Sequence, residues 1–358
     1  MALLFIDSFD HYRTADIGRK YHEFSSSTSI VSVEDVGGIE PRNGTQCMNF
    51  STSSGVSKHF DQHSIWIMGV GIRVTGTIGG SSDDALFSIS DKTASVTQST
   101  QVTFAFDGNK KFTVLRGNTT SGTQLAISDG TFDLDDGNWH FVEFKCVIHE
   151  TTGSFSAQYD GIVIAGLTKT NQDTVNGGGN NFANHIGLGG LINPPSNDAY
   201  CDDYYIANGA TPGVTAMLGD MKVDALFPKA DGNYEEFTSF PVQDDAFTLV
   251  NKLPPDDDIT YVESNVDGEK STFDMDDALL NQTIHGVQHT LYIRKSDVNR
   301  RKIKHLTRIA GADHLGDLVR MGDKFTMKTK MWEINPQTGS QWTASQVNGA
   351  EFGMEVNS

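Results

Sequence analysis

The chain has 358 residues, which at roughly 100–200 residues per domain means two or three domains. It carries 27 Lys and Arg against 46 Asp and Glu, a formal net charge of −19 that excludes a nucleic-acid surface or adsorption to anionic lipid, since both need clustered basic side chains. With 36 Gly and 21 Phe against 9 Pro, the composition suits many short strands joined by tight turns and fits helical bundles poorly.

From the start, Ala2-Leu3-Leu4-Phe5-Ile6 is too short for a signal-peptide core and runs straight into Asp7. No later apolar run approaches the ~20 residues of a membrane helix. Alternation of apolar and polar residues then recurs to about residue 208. It predicts strands at Ile65-Trp66-Ile67-Met68 through Val74, Ala85 to Ile89, Gln101 to Phe106 and Lys111 to Leu115. Asp107-Gly108-Asn109-Lys110 is a hairpin signal between the last two, because Gly and Asn accept positive φ. Further strands follow at Trp139 to Ile148, Phe155 to Tyr159, Ile162 to Ala165, Ile186 to Gly190 and Cys201 to Ala207. Strands this frequent, with no helical period between them, predict a two-sheet sandwich over residues 1–208.

Asn208-Gly209-Ala210-Thr211-Pro212-Gly213 reads as a linker, with 209–213 at its centre. Residues 214–358 form a second, mostly β domain. Its strands are expected at Asp220 to Phe227, Ile284 to Ile293, Lys302 to Ile309 and Lys324 to Trp332. Two short helices are expected, one around Asp274 to Leu280 and one after Thr343, where Thr343-Ala344-Ser345-Gln346 has capping-box spacing. Cys47, Cys146 and Cys201 are odd in number and far apart, which argues against a disulfide framework or zinc site and for synthesis in a reducing cytoplasm.

Gly137-Asn138-Trp139-His140-Phe141-Val142, Tyr159-Asp160-Gly161-Ile162, Ile186-Gly187-Leu188-Gly189-Gly190 and Cys201-Asp202-Asp203-Tyr204-Tyr205-Ile206 form an ordered series. It resembles the laminin-G / concanavalin-A-like jelly roll over residues 1–208, and Asp7-Ser8-Phe9-Asp10 resembles that family's first strand. The resemblance implies a jelly-roll sandwich and says little about activity. Gly219-Asp220-Met221-Lys222 through Pro228, Tyr261-Val262 and the ending Trp332-Glu333-Ile334-Asn335 through Thr343 are similar to the C-terminal part of virion structural proteins of tailed bacteriophages. That resemblance implies a particle component made in bacterial cytoplasm.

Glycoside hydrolysis on such a fold needs two carboxylates across the sugar, about 5–5.5 Å apart for retention. Glu34, Asp35 and Glu40, or Glu263, Asp267 and Glu269, lack the family's one-strand spacing and read as loop acids, so a hydrolase is not expected. Asp133-Leu134-Asp135-Asp136-Gly137 fails the helical calcium-loop pattern, because Phe132 and Leu134 stand at ligand positions. Laminin-G-like folds include calcium binders that use loop carboxylates, for which Asp202-Asp203 or Asp256-Asp257-Asp258 would serve here. The solvated acidic loop is the preferred reading, and no cofactor or metal is expected. His59 and His63, four apart in loop or strand, do not converge as they would on a helix. Jelly-roll faces also bind glycans, and the loop with Asn176, Asn180, Asn181, Phe182 and Asn184 has suitable residue types, although Asn-rich loops are commoner as turn formers.

The sequence therefore predicts an all-β, non-enzymatic virion structural protein, either capsid decoration or a tail or neck component, and a homo-oligomer contacting other virion proteins. The basic stretch with Arg300, Arg301 and Lys302 is the candidate protein contact, against the alternative of a charged strand edge. The alternative function is a tail adhesin that binds host surface glycan.

Overall fold

Alternating β-branched and aromatic residues, punctuated by Gly, Asn and Asp, fold as antiparallel strands throughout the computed structural model. It describes all residues except Met1, 25–30, 34–38, 51–54, 77, 79–82, 94–98, 178, 190–197, 212 and Ser358. The chain forms two units, Met1–Val223 and Asp224–Ser358.

The first unit contains β1 (Leu3–Asp7), α1 (Ile17–Lys20), β2 (Glu23–Phe24), β3 (Val31–Val33), β4 (Met48–Phe50), β5 (Gly55–His63), β6 (Ile65–Thr75), β7 (Asp84–Asp91) and β8 (Ser99–Phe106). It continues with β9 (Phe112–Arg116), β10 (Thr123–Ile127), β11 (His140–Val147), β12 (Gly153–Tyr159), β13 (Ile162–Val163), β14 (Lys169–Gln172), β15 (Ala183–Gly189) and β16 (Asp198–Ala207). One nine-stranded sheet runs β13-β12-β11-β6-β16-β4-β3, with β1 also on β16 and β14 also on β12. The other, of seven strands, runs β10-β9-β8-β7-β15-β5-β2. Aromatic rings join the two. Phe104 of β8 stacks on Phe144 of β11 at 4.7 Å, and Phe87 of β7 on Tyr204 of β16 at 6.4 Å, so the predicted two-sheet sandwich is what forms.

At the β8–β9 hairpin, Asp107 Oδ1 accepts from the backbone N–H groups of Asn109 and Lys111 at 2.9 and 2.8 Å. The left-handed residue is Lys110, with φ of 61°, rather than Gly108 or Asn109. Residues beyond the 209–213 linker fold back on the nine-stranded sheet. Leu218 and Gly219 donate backbone N–H bonds to buried Glu143 at 2.7 and 3.0 Å, and Val223 N–H donates to Asp203 Oδ1 at 2.7 Å. The border between units accordingly falls after Val223. The strand expected at Asp220 to Phe227 does not form, and regular pairing resumes only at Pro228. Burial pushes the Glu143 carboxyl up, against the hydrogen bond from Tyr205 and the two from the backbone.

The second unit comprises β17 (Pro228–Glu235), β18 (Thr238–Phe240), α2 (Phe247–Val250), β19 (Tyr261–Glu263), β20 (Lys270–Met275), β21 (Val287–Ile293) and β22 (Lys302–Ile309). After these come β23 (Ala312–Arg320), β24 (Thr326–Trp332), α3 (Ala344–Asn348) and β25 (Ala350–Asn357). A five-stranded sheet runs β17-β20-β25-β22-β23, and β18-β19 and β21-β24 form two ribbons. Trp332, Trp342, Val347, Ile309 and Phe352 pack together as its core. The Thr343 capping box starts α3 as its spacing predicted. The helix expected from Asp274 is absent, because Asp274 and Met275 pair as strand with β17 and Asp274 also with β25; the other short helix is α2, whose first N–H groups bond to Asp231.

Candidate functional site

Strands β2, β5 and β15 lie side by side at one end of the seven-stranded sheet. Val56, Ile186 and Leu188 face the core, so the period of two carries Ser57, His59 and His185 to the opposite face. Register completes the convergence. His59 sits directly across from His185, Glu23 across from Ser57, and Ser90 of β7 across from His185 on its far side. The His59 and His185 rings meet edge to face at 4.8 Å, and the His22 ring lies 5.1 Å from that of His59.

The Glu23 carboxylate ties the group together. Its oxygens lie 3.7 Å from His59 Nε2 and 3.3 Å from His185 Nε2, Ser57 Oγ donates to it at 3.3 Å, and Lys92 Nζ bonds to Oε2. The Lys92 hydrogen bond holds the Glu23 carboxyl down at about 2. Burial, and then the Lys92 charge, hold His185 down at about 4, so its ring is neutral at neutral pH. His185 is 6 % exposed, and neither ring nitrogen has a hydrogen bond. Glu23 and His59 are open to solvent, with side chains 50 % and 39 % exposed.

The Asn-rich loop named from the sequence borders this cluster, with its amides engaged in holding the loop. Asn180 Nδ2 donates to Asp91 at 2.6 Å, Asn181 Oδ1 accepts from Glu150 N–H at 3.1 Å, and Asn176 Nδ2 donates to Thr100 O at 3.0 Å. Asn184 Oδ1 accepts from the Lys92 backbone at 2.7 Å and so fixes the strand end that carries the ammonium. Phe182 is half-buried. Glu23, His185 and Lys92 escaped the sequence reading, and His59 was paired there with His63. In the fold His63 instead packs edge to face on Trp66 at 5.3 Å.

The acidic groups considered for calcium have protein partners. Lys110 Nζ lies between Asp133 and Asp135 at 2.9 and 2.8 Å. Arg42 bonds Asp203, the Arg42 and Asn43 backbones donate to Asp202, Thr260 and Tyr292 donate to Asp256 and Asp257, and Arg294 pairs with Asp258. Glu34 and Asp35 lie outside the described residues. In the second unit Arg300 is exposed, and Arg301 pairs with Asp297 at 2.8 Å. Lys302 opens β22, an interior strand between β23 and β25, which corrects the reading of that stretch as a charged edge.

No family model and no curated protein matches the chain. Among solved structures it is similar to the cellulose-induced protein Cip1, with 10 % identity over 61 % of this chain and 100 % of that one at a TM-score of 0.41. Alginate lyase Aly36B is matched at 8 % identity over 55 % of this chain and 91 % of that one, TM-score 0.37. The sialidase of Trypanosoma rangeli is matched at 13 % identity over 50 % of this chain and 27 % of that one, TM-score 0.32. These likenesses concern the fold of a β-sandwich. They also correct two expectations: the similar structures are enzymes and a cellulose-induced protein rather than virion components, so the bacteriophage structural role and the exclusion of enzymatic activity are carried no further.

Proposed function

We propose that the first unit is a glycan-binding domain whose sugar-facing surface is the outer side of β2, β5 and β15. The observation that carries this reading is the solvent-facing strip formed by His22, Glu23 and His59, with the largely buried Lys92 ammonium bonded to Glu23 beside it. The His22 and His59 rings, with centroids 5.1 Å apart and planes tilted by 39°, offer imidazole surface for the C–H side of a sugar ring. A carboxylate and an ammonium beside them supply an acceptor and donors for hydroxyl groups. The strip spans adjacent strands spaced about 4.8 Å apart, so its polar groups are set out at intervals comparable with a sugar ring.

The test is a glycan array probed with the full chain, followed by calorimetric titration of the best binder. His59→Ala and Glu23→Ala are each expected to weaken binding about tenfold or more, equivalent to about 1.4 kcal/mol, with the fold retained. An array without a binder, or variants that bind as the parent does, would overturn the reading.

A further inference from the structure

We propose that Glu23, His59 and His185 form a binding site for one divalent transition-metal ion, with zinc the best match. The inference goes beyond the glycan reading and does not depend on it.

Donor chemistry comes first. Two imidazoles and a carboxylate are a borderline set that suits zinc and its neighbours in the transition series, whereas calcium and magnesium take oxygen ligands. Distance comes second. Zinc bonds of about 2.0–2.2 Å at tetrahedral angles place neighbouring ligand atoms about 3.3 Å apart. Here Glu23 Oε2 lies 3.3 Å from His185 Nε2 and Glu23 Oε1 lies 3.7 Å from His59 Nε2, and one ligand atom from each of the three residues falls within 4.8 Å of the others. Small rotations of the two exposed side chains close the remaining gap, because the backbone already sets His59 opposite His185.

The state of His185 is the independent observation. An imidazole that is nine-tenths buried, with no hydrogen bond at Nδ1 and only the Glu23 carboxylate 3.3 Å from Nε2, is costly to leave so poorly satisfied, and its ligand nitrogen lies within reach of the other two ligands. Ser57 Oγ donates to the Glu23 carboxylate and orients it, as outer groups do around metal ligands. In the present arrangement the Lys92 ammonium supplies the positive charge on Glu23, and the ion would take over that role. Exposure of Glu23 and His59 leaves the remaining coordination position toward solvent.

The experiment uses the full chain, stripped with a chelator and titrated with Co²⁺ while visible absorption is recorded; Zn²⁺ is then added in competition. One equivalent of Co²⁺ is expected to give the intense ligand-field bands of a four-coordinate ion, which Zn²⁺ abolishes. His59→Gln and His185→Gln should each lower Co²⁺ affinity by about 100-fold, the upper range seen on disturbing a metal site. His314→Gln, in the second unit and outside the ligand set, should retain it. Far-ultraviolet dichroism checks that each variant is folded, and the exposed His59 covers the case in which the His185 variant is not. Absence of stoichiometric binding by the parent, or affinity undiminished in folded His59→Gln, would overturn the site. The cobalt spectrum involves no sugar, so its failure is separable from failure of the glycan reading.

Discussion

Lys20 and Asp7 meet at 2.7 Å with neither side chain exposed, and the Tyr12 and Tyr21 hydroxyls donate to the second carboxylate oxygen at 2.9 and 2.8 Å. Burial would raise the Asp7 carboxyl, but the Lys20 charge and the hydrogen bonds outweigh it and hold it below the usual range. Removing one partner strands the other charge in the interior. Lys20→Met is therefore expected to cost about 3–5 kcal/mol in urea unfolding, and replacing Asp7 by Asn in the same chain should recover part of that loss. His185 supplies a pH dependence of known sign. Between about 6.5 and 4 the unfolded chain takes up a proton on this ring and the folded chain does not, so stability falls as pH drops through that window. In the second unit His305, also held at about 4 by burial, acts in the same direction. His185→Gln should flatten the slope of melting temperature against pH in the first unit's transition; an unchanged slope would contradict the assignment.

At the scale of elements, β25 lies between β20 and β22, and a Cβ on Gly353 would come within 1.8 Å of Ser271 O. Gly353→Ala is expected to destabilise the second unit by about 3 kcal/mol, measured as a lowered denaturant midpoint, because a backbone oxygen has to move. The strands of the first unit could be read in advance because polar and apolar residue types alternate along runs such as Gln101 to Phe106 and His140 to Val147, even though the fold buries most of these positions on both faces. In the second unit half-buried strands such as β17 and β23 lack that contrast, and acidic Asp274 to Asp277 resembled a helix start although its first residues pair as strand. The candidate site was less readable still. Glu23, His59 and His185 stand on three strands far apart in sequence, and only register brings them onto one face. Spacing along a single strand drew attention to His59 and His63 instead, and Asn180, Asn181, Phe182 and Asn184, on the approach to β15 and at its start, border the cluster without entering it.

For the whole molecule, the return of residues 214–223 onto the nine-stranded sheet makes the choice of end point measurable. A chain ending at Gly213 leaves buried Glu143 without the Leu218 and Gly219 donors and Asp203 without Val223. Unsatisfied buried acceptors cost about 1–3 kcal/mol each, and more when charged. Chains ending at Gly213 and at Val223 should therefore differ by several kcal/mol in chemical unfolding, with the longer the more stable; equal stabilities would show that the segment contributes nothing.

Cys47, Cys146 and Cys201 all belong to the first unit, and all are buried. Burial pushes Cys47 up to about 12 and raises the other two further, so at neutral pH none presents a thiolate. A maleimide added to the native chain will accordingly modify sulfur only when the sandwich opens, and its labelling rate becomes a clock for that event alone. With all 3 cysteines of the sequence in the sandwich, the other unit stays silent to the reagent, which gives an intrinsic means of timing one half of the chain without engineered labels.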